Sequence, residues 1–287
     1  MKRIRILAIA SLFILLASAF GCSQEPIQKK TDKNAPAATA AAPESGSQLD
    51  AILKRGTIRV GFDTFKPWAM KDKNGEYIGF EIEVARKIAE DMGVKVEFVP
   101  TKWSGIIPAL LTGKFDIIIG GMSVTPQRNL KVNFSLPYEY SGMSIVASRK
   151  IAEGRASIED FNNPGTTIAV RLGTTAAEAA KNFLPKAKIL FFDEESQTIQ
   201  ELLNERVHAV VASNPLPLNL SKEYADQLYL PLKDDFTREP IAFAVKKGDP
   251  DFLNWLNNWV RVTMSKGWLQ NRYEYWFFTN EWENQIQ

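Results

Sequence analysis

Arg128 stands in the first turn of a helix, where a cation is out of place. It closes the stretch Gly120-Gly121-Met122-Ser123-Val124-Thr125-Pro126-Gln127-Arg128. Thr125 is a good N-cap, and Pro126 falls at the first helical position, where its missing N–H costs nothing. The positive end of a helix dipole disfavours an Arg there by about 0.3–1 kcal/mol unless an anion shares the site. Gly120, Gly121 and Ser123 leave backbone N–H groups and a hydroxyl to reach that anion. The pattern reads as a carboxylate cradle; the alternative is a surface Arg after an ordinary strand-to-helix turn.

A second helix start has the same character. Gly173-Thr174-Thr175 follows a strand, and Thr175 with Glu178 has capping-box spacing, so early N–H groups would face the same ligand. Phe65 and Trp68 flank Lys66-Pro67, and Trp103 precedes a helix. At strand ends these aromatics can cover a ligand, although packing in the core is the alternative for each. The sequence has one histidine, His208, and one cysteine, Cys22. These make no nucleophilic triad, no multi-Cys metal centre and no internal disulfide, so no catalytic residue, metal or cofactor is expected.

The positioning elements alternate. Ile58–Phe62, Val94–Val99 and Phe115–Ile119 read as strands; Phe80–Met92, with Gly93 as its stop, and Ser104–Leu111 read as helices. After an extended, apolar Tyr138–Ala147 the alternation restarts. Strands are expected at Thr166–Val170, Lys188–Phe192 and Ala209–Ala212, and helices at Ala176–Leu184 and Ser196–Leu203. Pro240–Val245 reads as a returning strand before helices Pro250–Met264 and Trp268–Phe278. Such alternation implies α/β architecture with two doubly wound parallel sheets, and ligands collect at the carboxyl ends of their strands. Two lobes joined by more than one crossing make a cleft with a hinge.

The N-terminus carries an address. Met1–Gly21 has a basic start (Lys2, Arg3, Arg5), an apolar run and small residues, the layout of a signal peptide over 1–21. Removing it takes three of the 35 basic residues and none of the 33 acidic ones, so the processed chain is near −1 and no nucleic-acid partner is implied. Ala19-Phe20-Gly21-Cys22 resembles a bacterial lipobox with Cys22 as the lipidated residue; cleavage after Ala17-Ser18-Ala19 is the alternative. Residues 22–48 are polar and Ala/Pro-rich, as expected of a disordered tether, which favours a lipid anchor.

Several motifs occur together in one order: Ile58-Arg59-Val60-Gly61, Gly79-Phe80-Glu81-Ile82-Glu83, Lys114-Phe115-Asp116-Ile117-Ile118, Ser123-Val124-Thr125-Pro126-Gln127-Arg128, Phe134-Ser135-Leu136-Pro137-Tyr138 and Gly173-Thr174-Thr175. Over roughly Leu49 to Phe278 the chain resembles the family 3 solute-binding proteins of polar amino-acid ABC importers. The resemblance implies the two-lobed periplasmic binding protein fold of type II, with one lobe over 49–140 plus 247–287 and the other over 141–246. It also implies a small carboxylate-bearing ligand, an ABC permease in the inner membrane as partner, and a periplasmic, monomeric protein. By resemblance, Arg128 with Gly121 and Ser123 holds the ligand carboxylate, Thr175 contributes from the second lobe, and Phe65 and Trp103 sandwich the ligand.

Two departures bear on the ligand. Relatives that bind α-amino acids place an Asp after the strand corresponding to Ala209–Ala212, where this chain has Ser213-Asn214-Pro215. Ser213 and Asn214 are then the candidates at the ammonium end. Arg171 stands where many relatives are neutral. If it enters the cleft, two Arg without an obvious counter-carboxylate favour a dicarboxylate or a keto acid; otherwise it is a solvated Arg at a strand end. Phe62 stands near the acidic position of relatives that take cationic side chains, which disfavours a Lys- or Arg-type ligand. The second half is also similar to cyclohexadienyl dehydratase, an enzyme on this fold, but the position of its catalytic Glu falls on Leu216.

Overall fold

The protein is described by a computed structural model covering residues 46–286. The expected signal peptide, the expected lipidation at Cys22 and nearly all of the expected tether lie outside the described residues. Among the described residues no helix is long and apolar enough to cross a membrane.

Strand Thr57–Phe62 is the centre of the first lobe, parallel to Lys95–Pro100 on one side and to Ile117–Ile118 on the other. Its apolar run is covered on both faces, as a central parallel strand requires. Ile58 and Val60 join a core with Phe80, Val84 and Ile88 of helix Phe80–Met92 and with Phe243 and Trp259. Phe62, further along the same face, packs with Ala69 and with Ile82 of that helix and meets Tyr77 and Phe98 edge-on at 4.9 and 5.7 Å. Side chains of this size contribute about 1.5–3 kcal/mol each when fully buried. Asp116, also buried, takes Arg55 and Arg59 and the side chain of Gln48, tying the first helix, Gln48–Arg55, to the sheet.

The second lobe repeats the plan. Thr167–Arg171 lies between Lys188–Phe192 and Ala209–Ser213, parallel to both. Its residues alternate between two cores. Ile168 and Val170 pack with Ala176, Ala177 and Ala180 of helix Thr175–Phe183, whose small side chains let it sit close. Ala169 packs on the other face with Leu202 of helix Glu195–Leu203. Helices on both faces make each sheet doubly wound.

The sheets are not wholly parallel. Ala244–Val245 runs antiparallel to Ile117–Ile118 and Asn133–Phe134, and Met143–Ser148 runs antiparallel to Ala209–Ser213. Both departures follow from the chain crossing between lobes. It leaves along Glu139–Ser141 and returns along Glu239–Ile241, and these two segments pair antiparallel as a two-stranded hinge. The single strand expected over Pro240–Val245 is therefore split between hinge and first sheet. Because Ala244–Val245 belongs to the first sheet, the return to the first lobe precedes the expected boundary at 246.

Candidate functional site

The Thr125-Pro126 start folds as its residue types require. Helix Pro126–Asn129 is a single turn, and Thr125 Oγ1 accepts the Arg128 N–H at 3.1 Å. Arg128 is thereby turned inward and is 8% exposed. One guanidinium N–H group donates to the Ser123 carbonyl at 2.7 Å and another to the Gly173 carbonyl of the facing lobe at 3.1 Å. The guanidinium also lies 5.9 Å from the Trp103 ring centroid. Burial pulls the Arg128 pKa down, opposed by the more distant charges of Glu178 and Glu239. An arginine so placed keeps its charge and needs an anion.

The interlobe cavity is lined by Phe65, Trp103, Gly121, Ser123, Arg128, Arg171, Thr175 and Ser213, eight of the nine ligand-binding positions expected from the sequence. Asn214 is not among its lining residues. Its side-chain amide is drawn to Asp235, and the chain then turns at Pro215 into a helix, Leu216–Glu223, that the sequence pattern had not suggested. Leu216 does not line the cavity either.

Four expectations about individual groups change. Gly121 lines the cavity, but its N–H is taken by the buried Glu81 carboxylate at 2.9 Å and is not free for an anion. Thr174, not Thr175, caps the second-lobe helix, accepting the Ala177 N–H at 3.2 Å while its hydroxyl donates to the Arg171 carbonyl at 2.7 Å. Thr175 is released to face the other lobe, its hydroxyl 3.3 Å from that of Ser123. The helix expected over Ser104–Leu111 starts two residues later: Trp103–Gly105 is a 3-10 turn leading into Ile106–Leu111. Phe62 is 0% exposed in the core and carries no information about the ligand.

Arg171 does enter the cleft, but it has a counter-carboxylate. It is 4% exposed and pairs with Asp63 of the first lobe. Asp63 also accepts the Thr64 and Trp103 backbone N–H groups, each at 2.7 Å. Glu195, at the start of helix Glu195–Leu203, lines the same cavity. Burial pushes its carboxyl up, while the Arg171 charge and the Thr198 hydroxyl pull it down. The inference from two unopposed arginines to a doubly acidic ligand therefore loses its premise. Asp63 and Glu195 were not singled out from the sequence. Asp63 is adjacent to the first strand's end, the position where site residues of such sheets gather, and that signal was available.

Trp68 packs behind the site at 3% exposure and forms part of its wall, 4.7 Å from the Phe277 ring and 5.9 Å from the Phe80 ring. It is a core residue that also shapes the cavity, so both readings of these aromatics hold at one position. Among the described residues no cluster of His, Cys, Asp and Glu is arranged to hold a metal ion.

Comparison with known proteins places this geometry. The profile of bacterial extracellular solute-binding proteins, family 3, matches residues 58–279. The L-cystine-binding protein TcyJ of Escherichia coli (strain K12) is 29% identical over 230 residues, covering 80% of this chain and 85% of the relative. Among solved structures, the ancestral amino acid-binding protein AncCDT-1, a precursor of cyclohexadienyl dehydratase, is 48% identical with a TM-score of 0.73, covering 80% of this chain and 99% of that one. A putative ABC-transporter binding component from Wolinella succinogenes DSM 1740, complexed with lysine, is 39% identical with a TM-score of 0.75, covering 80% and 99%.

Proposed function

The chain belongs to the bacterial extracellular solute-binding proteins of family 3, and from that membership we propose that it captures an α-amino acid between its lobes and hands it to an ABC permease. The observation that carries this reading is Arg128: a buried guanidinium at the cleft that donates to two carbonyls, has no carboxylate partner among the described residues, and lines the cavity together with the Ser123 and Thr175 hydroxyls. A carboxylate is the ligand group that such a cation accepts best, through charge-assisted hydrogen bonds. Phe65 and Trp103 cover the ligand, and Ser213 faces it from the second lobe. Closure about the crossing strands brings Thr175 and Arg171 onto a ligand already held by the first lobe.

The relatives named above bind cystine and lysine, which supports an amino acid over a dicarboxylate. With the apolar Leu216 where cyclohexadienyl dehydratase has its acid, the reading is binding without turnover. The mature protein acts in the periplasm as a monomer, held to the membrane through Cys22. Isothermal titration of the purified chain with the common amino acids tests the reading. One or more should bind, and Arg128→Ala should weaken that binding at least about thirtyfold, the equivalent of roughly 2 kcal/mol for a lost charge-assisted contact. Equal affinity in the variant would end the proposal. Prephenate and arogenate should remain unchanged on incubation.

A further inference from the structure

Four charged side chains line the cleft: Asp63, Arg128, Arg171 and Glu195. Two of them cancel. Arg171 reaches across from the second lobe to Asp63, and its Nε donates to the Asp193 carbonyl at 3.3 Å, so the guanidinium is held at both ends. Asp63 is filled from three directions, by Arg171 and by the Thr64 and Trp103 N–H groups. Its side chain is 12% exposed and that of Arg171 is 5% exposed. A buried pair of this kind is strongly disfavoured from losing one partner, because the other charge is left desolvated and alone.

We propose that Arg171 selects the charge of the ligand's side chain: as a resident counter-cation for Asp63 it excludes cationic side chains and admits α-amino acids with a neutral, hydrogen-bonding one. The inference rests on the amino-acid reading above. A cationic side chain arriving at Asp63 would have to displace Arg171, stranding a buried guanidinium, or sit beside it and be repelled. A neutral amide meets neither obstacle, and an ion pair offers it a donor edge and an acceptor edge together. The charges left over agree. Arg128 and Glu195 are one of each sign, the count of a zwitterion whose side chain is uncharged.

L-citrulline and L-arginine are close in shape and differ in side-chain charge, so titrating both into the purified chain, with L-glutamine alongside, isolates the effect. The wild type should bind citrulline at least about tenfold more tightly than arginine, and Arg171→Leu, which exposes Asp63, should reverse the order. Should Arg171→Leu fail to fold, the pair Asp63→Asn with Arg171→Leu removes both charges, and the citrulline preference should shrink to under about threefold. Arginine bound as well as citrulline by the wild type, or a full citrulline preference surviving in either variant, overturns the proposal. Failure of the amino-acid reading looks different: no amino acid binds at all, and the selectivity proposal falls with it.

Discussion

Glu81 is wholly buried behind the cleft wall, where its Oε1 accepts the backbone N–H of Gly121 at 2.9 Å and the Tyr138 hydroxyl at 2.8 Å. The carboxyl group thereby joins the turn that carries Ser123 to the segment entering the hinge. Burial pushes the Glu81 carboxyl up to about 8, against the pull of these two donors.

That shift fixes the sign of a pH effect. In the unfolded chain a Glu titrates near 4.3, so between about 4.5 and 8 the folded chain holds the proton that the unfolded chain has lost. The contribution of Glu81 to stability is therefore fully present below that window, falls as pH rises through it, and is flat above. Glu81→Gln keeps an acceptor for Gly121 and removes the titration. Thermal unfolding at about pH 5, 6.5 and 8.5 should show the wild type losing stability across the window by more than the variant, on the order of a few kcal/mol. Parallel curves for the two proteins would show that Glu81 does not titrate there.

Arg128 makes a separate prediction because its two carbonyl bonds diverge, one within its own lobe at 2.7 Å and one to the facing lobe at 3.1 Å. A planar guanidinium can hold both and still present an edge to a carboxylate, whereas an ammonium is a point charge. Arg128→Lys should keep the fold, judged by an unfolding midpoint close to that of the wild type. It should nonetheless weaken the ligand by about 1.5–3 kcal/mol in calorimetry. Undiminished affinity would mean that charge alone suffices and that the fork geometry is irrelevant.

The parts of this site that the sequence discloses are those set by neighbours in the chain. Thr125 capping Arg128, Pro126 at the first helical position and Gly93 closing helix Phe80–Met92 are decided within a turn, and each is found where local chemistry puts it. With Thr174 and Thr175 adjacent, either could cap; the carbonyl of Arg171, three residues back, engages Thr174 and so frees its neighbour. The pairing of Asp63 with Arg171 joins residues 108 positions apart across two lobes, and no spacing rule contains it. Glu195 was hidden for another reason. A Glu in the first turn of a helix is expected there for the dipole alone, so its exposure to the cleft leaves no separate mark. Asn214 was misplaced because it adjoins a cleft residue, Ser213, yet turns its side chain to Asp235.

Closure of the cleft brings Gly173 against the facing lobe. Its φ is +77°, and a Cβ built there would lie 3.2 Å from the Ser104 Cα, which belongs to the opposite lobe. Gly173→Ala therefore has two costs. Left-handed backbone strain, roughly 1–2 kcal/mol, is present whether the cleft is open or shut. The clash with Ser104 is present only when it is shut, and because ligand binding and closure are coupled, it lowers affinity by the same amount that it destabilises the closed form. Gly154 separates the two, since it has φ +79° with nothing within 4 Å of its would-be Cβ. Gly154→Ala should lower the melting temperature and leave the dissociation constant as in wild type; Gly173→Ala should lower both stability and affinity, the latter by at least about fivefold. If calorimetry finds the two variants equal in affinity, the contact between Gly173 and Ser104 plays no part in closing the cleft on its ligand.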